Sequence, residues 1–334
     1  MNSCSQSPVF IVASERSGTN LLRKRITESQ GSYIGPSPAH FLKNLYFQEP
    51  YYGNLENDSC FEKFAEDAIA LCTRHFSPWQ IDWSPEELVQ ALDGKERNSI
   101  SLMHYMMNRY ANENGYDGYI CKDNFLYEFA VDIAATLPES RFIYLYRDPR
   151  DYVLSQMKRP GALQSCARYA RLWSYEQTRA IAVCSKLERS GRCLRVSYED
   201  FISNEDDSLN RILDFIGGDR SAESRYQDYH RESVHEWSNL AGETLRNNSE
   251  KFRSEMSERD IWLVESICAK QMEYLGYETF STNARSVRRL DLAFDYFQAY
   301  FKRIFTKNTN LKKASVQERE KLLKKLYINY RSDV

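Results

Sequence analysis

Short apolar runs alternate with longer amphipathic stretches along most of the chain. Four runs have the length of buried strands and are bounded by turn-forming residues: 9–13, 118–122, 142–146 and 193–197. Between and after these runs, apolar residues recur at helical spacing, for example over 19–29, 125–136 and 165–188. This alternation predicts an α/β fold in which helices flank a central parallel β-sheet.

The pattern changes near residue 281. Before it, residues 31–40 are rich in turn formers, 41–107 are mostly helical and 219–250 are polar and loop-like. After it, two basic amphipathic helices are predicted over 288–305 and 317–330. We therefore predict a main domain over residues 1–280 and a basic helical C-terminal extension over residues 281–334.

Charge is distributed unevenly although the net charge is only -2. Residues 281–334 contain thirteen Lys/Arg and five Asp/Glu, a net of +8, so the rest of the chain is acidic. Nothing in this balance favours nucleic acid as a partner. For the stripe of Phe294, Phe297 and Phe301 the first interpretation is core packing. A partner subunit, as in a homodimer, and peripheral contact with an anionic membrane remain open.

The eight cysteines include no C-x-x-C pair and no Cys/His cluster with zinc spacing. Buried free thiols in a reducing compartment are expected, and no metal site. No apolar run reaches 18 residues, and the first residues lack the charged and apolar regions of a signal peptide. We therefore expect a cytoplasmic protein without a transmembrane segment.

The stretch 8–22 carries the first chemical signal. An apolar strand is followed by a polar turn over 14–18, and a helical pattern begins at Thr19. Strand, tight turn and helix direct backbone N–H groups and a helix N-terminus to one point, which favours an anion, phosphate above all. Gly18 permits close approach of the backbone, and Arg16 adds a planar cationic donor. The stretch lacks the first Gly and the Lys of the kinase P-loop.

A second anchor is the run Arg-Asp-Pro-Arg-Asp at 147–151, which follows the third predicted strand. Arg147 would lie at the carboxyl edge of the sheet, where α/β folds bind ligands. Asp148 and Pro149 have the residue types of a helix start, and Ser155 follows eight residues after Arg147. Reversal of the chain at Pro149 would bring Arg147 and Ser155 to one phosphate.

These two motifs, in this order, resemble those of sulfotransferases that use 3′-phosphoadenosine 5′-phosphosulfate (PAPS). The resemblance covers about residues 8–278 and departs at Glu15, where Pro is usual. It implies the P-loop-like fold of soluble sulfotransferases and PAPS as the donor, with PAP as product and no metal. It assigns the 5′-phosphosulfate to the side chains and backbone of Arg16, Ser17, Gly18, Thr19, Asn20 and Leu21.

The resemblance also implies the other donor contacts. Arg147 and Ser155 would bind the 3′-phosphate, and Tyr198, in a run Tyr-Glu-Asp that ends the fourth strand, would lie near the adenosine. Arg246 would join the 3′-phosphate site from a late loop. In that loop Glu243 and Thr244 replace the usual Asn-Pro.

For catalysis, Arg16 would stabilise the charge that grows on the oxygen bridging sulfur and phosphorus. Lys122 would help neutralise the sulfuryl group. Many members place a His two residues after this Lys, where this chain has Asn124. We therefore predict His40 as the general base, because the pKa of a histidine lies near working pH. The reserve candidates for the base are Asp123, Glu15 and His104.

The predicted function is transfer of a sulfuryl group from PAPS to a hydroxyl acceptor, which is a small molecule, a lipid or a carbohydrate. Two other functions stay open at this point. One is a P-loop-type small-molecule kinase, against which the missing Lys after Gly18 argues. The other is a non-catalytic nucleotide-binding or scaffold protein, which Asn124 in place of His suggests.

Overall fold

Five parallel strands form one sheet in the order β2-β3-β1-β4-β5 in the computed structural model. The structure describes residues 6–29, 31–75, 77–159, 161–218, 248–283, 285–305 and 314–329. The strands are β1 (Val9–Val12), β2 (Tyr33–Ile34), β3 (Gly118–Cys121), β4 (Arg141–Tyr146) and β5 (Cys193–Ser197). The predicted α/β fold with a central parallel sheet is confirmed.

Four of these strands match the predicted apolar runs, and β2 was missed. It has only two residues, which lie inside the turn-rich stretch 31–40, so no periodicity marks it. Its pairing with β3 is supported by tertiary contacts. The Tyr33 hydroxyl donates to the carbonyl oxygen of Ile216 at 2.9 Å, although Tyr33 is a residue of an edge strand.

Side chains of the central strands alternate between two apolar cores, one on each face of the sheet. Phe10 and Val12 of β1 belong to the larger core, and Val9 and Ile11 belong to the smaller one. In β4 the same alternation separates Phe142 and Tyr144 from Ile143 and Leu145. This is the two-residue period of a strand buried on both faces, which is why the runs are continuously apolar.

Helices cover both faces of the sheet. Their bounds are α1 (Thr19–Glu28), α2 (Phe41–Leu45), α3 (Asp58–Thr73), α4 (Pro85–Ala91), α5 (Ser99–Glu113), α6 (Leu126–Thr136), α7 (Pro149–Met157), α8 (Cys166–Arg189), α9 (Tyr198–Ser203), α10 (Glu205–Ile216), α11 (Phe252–Glu255), α12 (Glu258–Leu275), α13 (Arg289–Phe305) and α14 (Ala314–Asn329). A 3₁₀ turn over Tyr46–Tyr52 follows α2. The predicted start of α7 is confirmed, with Asp148 as N-cap and Pro149 at the first helical position.

The C-terminal extension contacts the body of the protein through both of its helices. Asp295 of α13 accepts hydrogen bonds from the backbone N–H groups of Cys166 and Ala167, at the start of α8. The buried side chains of α14, Arg319, Leu322 and Leu326, contact the body beside α3. The boundary at residue 280 stays a prediction. None of the described helices is both long enough and apolar enough to cross a lipid bilayer.

The connections that follow the strands place the predicted site residues along one edge. The loop over 13–18 follows β1, Lys122 follows β3, Arg147 follows β4 and Tyr198 follows β5. The carboxyl ends of parallel strands lie at the same edge of the sheet, so these residues lie at neighbouring strand ends. After β3 the chain crosses from one side of β1 to the other, so the connections that follow β1 and β4 leave the sheet in opposite directions, and the β1 and β4 loops lie at the switch point.

Candidate anion-binding and catalytic site

The loop between β1 and α1 requires glycine at residue 18. Gly18 is the N-cap of α1 and has a φ of 86°, in the left-handed region. A Cβ added there would lie 2.4 Å from ring carbons of Tyr198. Arg16 also has a positive φ, of 64°, although it is not a glycine. Such backbone conformations are costly and concentrate at functional sites, so the loop conformation itself points to a ligand.

Two polar atoms at the start of α1 are buried without hydrogen-bond partners among the described residues: Ser17 Oγ and Asn20 Oδ1. Ser17 is fully buried, and no side chain caps the N-terminus of α1. Buried polar groups are normally hydrogen-bonded, and a helix N-terminus attracts anions. The predicted Thr19 is also buried there, whereas Leu21 packs against the smaller core. The unpartnered hydroxyl and the uncapped helix fit a bound phosphate or sulfate group.

Arg147 lies directly against this loop. Its Nη1 donates to the carbonyl oxygen of Arg16 at 2.9 Å, and its Nη2 donates to the carbonyl oxygen of Asn248 at 3.1 Å. Its guanidinium carbon lies 4.6 Å from the centre of the Tyr198 ring. The Tyr198 hydroxyl in turn accepts from Asn248 Nδ2 at 2.7 Å. Arg147 Nε is buried and has no partner among the described residues, so one donor remains for a ligand.

The other charged residues of the 147–151 motif are engaged inside the protein. The Arg150 guanidinium forms ion pairs of 2.6 Å with both Asp148 and Glu265. Asp151 accepts from the backbone N–H groups of residues 250 and 252. These contacts hold the turn around Arg147 and attach it to α11 and α12. Arg147 is therefore the arginine of this motif that faces the loop.

Ser155 joins the two anchors. Arg16 Nε donates to Ser155 Oγ at 3.1 Å, across 139 residues of sequence. Together with the bond from Arg147 to the Arg16 carbonyl, this contact brings the predicted phosphosulfate loop and the predicted 3′-phosphate residues to one place.

Lys122 is linked to Glu15 of the loop through one intervening side chain, that of Asn124. Its Nζ donates to Asn124 Oδ1 at 2.9 Å, and Asn124 Nδ2 donates to Glu15 Oε1 at 2.6 Å. Arg159 Nη1 pairs with the other Glu15 oxygen at 3.0 Å. Burial lowers the pKa of Lys122 to about 8, an effect that Asp123 and Glu15 partly offset. An added anion would favour the charged form of this lysine further.

His40 lies beside Lys122, and its environment differs from the predicted one. Its backbone N–H donates to Asp123 Oδ1 at 2.7 Å, and its Nδ1 lies 3.7 Å from the same oxygen. Burial, with further contributions from Lys122 and Arg319, lowers the pKa of His40 to about 2. The premise that this pKa lies near working pH is wrong for the protein without ligand. His40 is a neutral imidazole there, and a bound anion would raise its pKa.

The reserve candidates for the base are differently placed. Both Asp123 oxygens accept backbone N–H groups, from His40 and Phe41 at 2.7 and 2.6 Å, and burial raises the pKa of Asp123. His104 is hydrogen-bonded to the Tyr119 hydroxyl at 2.8 Å, and burial lowers its pKa to about 4. Glu15 is the remaining carboxylate at the loop. Arg246 lies outside the described residues.

Two residues near the site were missed by the sequence analysis. Arg319 of α14 donates to the carbonyl oxygen of Ala39 at 2.6 Å, next to His40, and to that of Leu71 at 2.9 Å. Only the basic character of the extension hinted at such a contact. Glu176 of α8 accepts from the Tyr127 hydroxyl at 3.1 Å, and burial raises its pKa to about 7. No local signal marks it within the amphipathic pattern of α8.

Comparisons with known proteins identify a family and a fold. A family model described as "Sulfotransferase family" matches residues 8–222, more than half of the chain. The sulfotransferase domain of the curacin biosynthetic pathway is 18% identical, with a TM-score of 0.53, and the match covers 83% of this chain and 100% of that domain. The sulfotransferase domain of the Synechococcus PCC 7002 olefin synthase is also 18% identical, with a TM-score of 0.53 and coverage of 82% and 96%.

These likenesses to solved structures concern the fold. No curated protein matches the chain. The family model spans the loop over 13–18, the Arg147 motif and Tyr198, and the sheet has the parallel architecture described above. On this basis the chain belongs to the sulfotransferase family.

Proposed function

We propose that this sulfotransferase uses PAPS as its donor, transfers the sulfuryl group to a hydroxyl acceptor and releases PAP. The observation that carries the proposal is the meeting of two cationic anchors at Arg16. Arg147 donates to the carbonyl oxygen of Arg16 at 2.9 Å, and Arg16 Nε donates to Ser155 Oγ at 3.1 Å. PAPS bears anionic groups at both its 5′ and 3′ positions, so it needs two neighbouring anion sites.

Two hydrogen-bond donors without a described partner support a proposed contact for each end of PAPS. Ser17, with the uncapped N-terminus of α1, is the proposed contact of the phosphosulfate. Arg147 through its Nε, together with Ser155, is the proposed contact of the 3′-phosphate. Tyr198 closes the space between them, since its ring packs on Gly18 and under Arg147. The proposal invokes no metal, because arginine, lysine and backbone N–H groups supply the positive charge.

In the proposed reaction the acceptor oxygen attacks sulfur in line with the bridging oxygen. The new S–O bond forms as the bond from sulfur to the bridging oxygen breaks, that electron pair leaves with PAP, and the acceptor proton passes to a base. Arg16 is assigned to the charge that grows on the bridging oxygen, and Lys122 to the sulfuryl oxygens. A cation at the leaving oxygen stabilises the transition state more than the ground state.

His40 is the proposed base, with its basicity dependent on the bound donor. The cations that lower its pKa include Lys122, and the negative charge of PAPS would offset them. Glu15 is the second candidate, because it is the acid of the loop over 13–18 and its carboxylate contacts both Asn124 and Arg159. The variants His40→Gln and Glu15→Gln separate the two assignments, because replacement of the true base should cause the larger loss of turnover.

The proposed acceptor carries a hydroxyl group and is a small molecule, a lipid or a carbohydrate. We also propose a cytoplasmic location, supported by the free state of the seven cysteines among the described residues. A homodimer remains an open proposal.

The experiment that tests the function is transfer of labelled sulfate from PAPS into a cell extract, followed by mass spectrometry of the labelled product. The test variant is Arg147→Ala, and its matched control is the surface variant Arg171→Ala on α8. The proposal expects a labelled product with wild type and with Arg171→Ala, and none with Arg147→Ala. Binding of PAP with no labelled product would favour the non-catalytic alternative. Labelling from ATP and Mg²⁺ in a parallel reaction would favour the kinase.

A further inference from the structure

The aromatic stripe of α13 is exposed to solvent. Leu290, Phe294, Phe297 and Phe301 follow one another at spacings of four, three and four residues, which places them on one face of the helix. Leu290 is 79% exposed and Phe297 60%, and Tyr300 beside them is 61% exposed. The prediction that this stripe packs in the core is wrong. We call these five residues the α13 stripe.

The opposite face of α13 is the buried one. Asp295 is 4% exposed and caps the start of α8, where it accepts hydrogen bonds from Ser165 Oγ and from the N–H groups of Cys166 and Ala167. Ala299, one turn later, is fully buried. Because these contacts fix the rotation of the helix, the α13 stripe is held outward. The Phe297 and Phe301 rings lie 4.5 Å apart, so the stripe is continuous there.

Positive charge borders the α13 stripe. Arg288, Arg289 and Lys302 are exposed, and the Arg259 guanidinium lies 4.7 Å from the centre of the Phe294 ring. The two acids between residues 281 and 302 are both engaged. Asp291 accepts two hydrogen bonds from the Arg285 guanidinium, at 2.8 and 2.9 Å, and Asp295 is buried against α8. The outward charge of this helix is therefore basic.

This charge distribution discriminates between the two occupants that an apolar helix face could have. In an antiparallel pair of α13 helices, Arg288 and Arg289 of one copy would lie beside Lys302 of the other. In a parallel pair each basic residue would face itself. Either arrangement sets basic residues against basic residues, with no outward acid between 281 and 302 to pair with them, which disfavours self-association.

We propose that the α13 stripe docks on an anionic lipid surface. Aromatic and leucine side chains with flanking Arg and Lys are the composition of helices that lie at the membrane interface, where apolar groups enter the headgroup region and basic groups meet anionic lipid. The stripe extends over about 16 Å from residue 290 to residue 301, at 1.5 Å per residue. This surface is independent of the anion-binding site and of the proposed function.

The test is co-sedimentation of the full chain with vesicles. One set contains phosphatidylcholine alone, and a second contains about one third phosphatidylserine. We expect the protein to bind the anionic vesicles at least about ten-fold more strongly than the neutral vesicles. Binding to the anionic vesicles should weaken as salt rises from about 0.15 M to about 1 M.

Two variants identify the surface. Phe297→Ser with Phe301→Ser, and separately Arg288→Glu with Arg289→Glu, should each reduce binding at least about ten-fold. Matched controls are Phe47→Ser, which removes another exposed phenylalanine, and Arg211→Glu, which reverses an exposed charge on α10. Thermal unfolding checks that every variant is folded.

Equal binding by wild type and by both stripe variants would overturn the proposal, and so would the absence of binding to anionic vesicles. Sedimentation velocity tests whether a second copy of this chain occupies the stripe. A wild-type dimer that becomes a monomer in the Phe297→Ser and Phe301→Ser variant, without vesicle binding by wild type, would assign the stripe to a second copy of this chain instead.

Discussion

Arg147 donates a hydrogen bond to the backbone carbonyl oxygen of Arg16, at 2.9 Å. The bond spans 131 residues and connects the loops that follow β4 and β1, which are adjacent strands of the sheet. It holds the guanidinium of Arg147 against the loop over 13–18, while Arg147 Nε has no partner among the described residues. This arrangement would prepare the two proposed anion sites before a ligand binds, which would lower the cost of ordering them.

Replacement of Arg16 should affect turnover more than donor binding. Its proposed contact strengthens as the bridging oxygen gains charge, so Arg16→Ala should lower kcat about 10²- to 10³-fold while the Kd for PAP rises less. Arg16→Lys keeps the charge and should retain more activity. Steady-state kinetics with the acceptor identified from the labelled product, and calorimetry with PAP, give both quantities. Equal losses in kcat and in PAP affinity would assign Arg16 to binding alone.

Glu15 and Asn124 should stabilise the protein as a pair. Both residues depart from the usual family pattern, and they form a hydrogen bond of 2.6 Å. In a double-mutant cycle with Glu15→Ala and Asn124→Ala, the free energies of unfolding should show a coupling of about 0.5–1.5 kcal/mol. Asn124→Ala combined with Arg179→Ala, an exposed change on α8, should be additive. Additivity in both cycles would mean that the two departures are unrelated.

His40 should make the protein less stable in acid. Its pKa is lowered from 6.5 to about 2, so between these values the unfolded chain binds a proton that the folded protein does not. Stability from this group is therefore lost as pH falls below 6.5, by up to about 1.4 kcal/mol per pH unit. His40→Gln should reduce the slope of unfolding free energy against pH by about that amount. An unchanged slope in urea titrations would contradict the buried neutral imidazole.

Loss of Arg319 should destabilise the protein although it lies in the extension. Its guanidinium is buried and donates to the carbonyl oxygens of Ala39, Leu71 and Arg74. Arg319→Met would leave these acceptors without their donor, at a cost of about 2–4 kcal/mol. Lys321→Met on the exposed side of α14 is the matched control and should cost less than about 0.5 kcal/mol. Equal urea midpoints for the two variants would place α14 outside the cooperative fold.

The parts of the fold that sequence predicted are those with a local signal. The buried strands β1 and β4 are continuous apolar runs, and α7 begins at an Asp-Pro pair, so composition and spacing suffice for them. The loop over 13–18 was located in the same way, because its glycine and its order of strand, turn and helix are consecutive in sequence. Its binding of an anion stays a prediction. Parallel strand ends then explain why Arg147 and Arg16 meet.

Features that depend on distant contacts could not be predicted. Arg319 reaches Ala39 across 280 residues, and nothing near either residue marks the contact. The pKa of His40 follows from burial and from neighbours that sequence does not place beside it. For α13 the period of the apolar residues was correct, but periodicity does not say which face is buried. Asp295, a residue of the polar pattern, decides that face through its contact with α8.

The most direct test of the two-anchor site is to compare, by calorimetry, the affinities of PAP and adenosine 5′-phosphate for wild type and for Arg147→Ala. The two ligands differ only in the 3′-phosphate. We expect wild type to bind PAP about 100-fold more tightly than adenosine 5′-phosphate, and this preference to fall to about three-fold or less in Arg147→Ala. Equal affinities of the two ligands for wild type, or an unchanged preference in Arg147→Ala, would contradict the account.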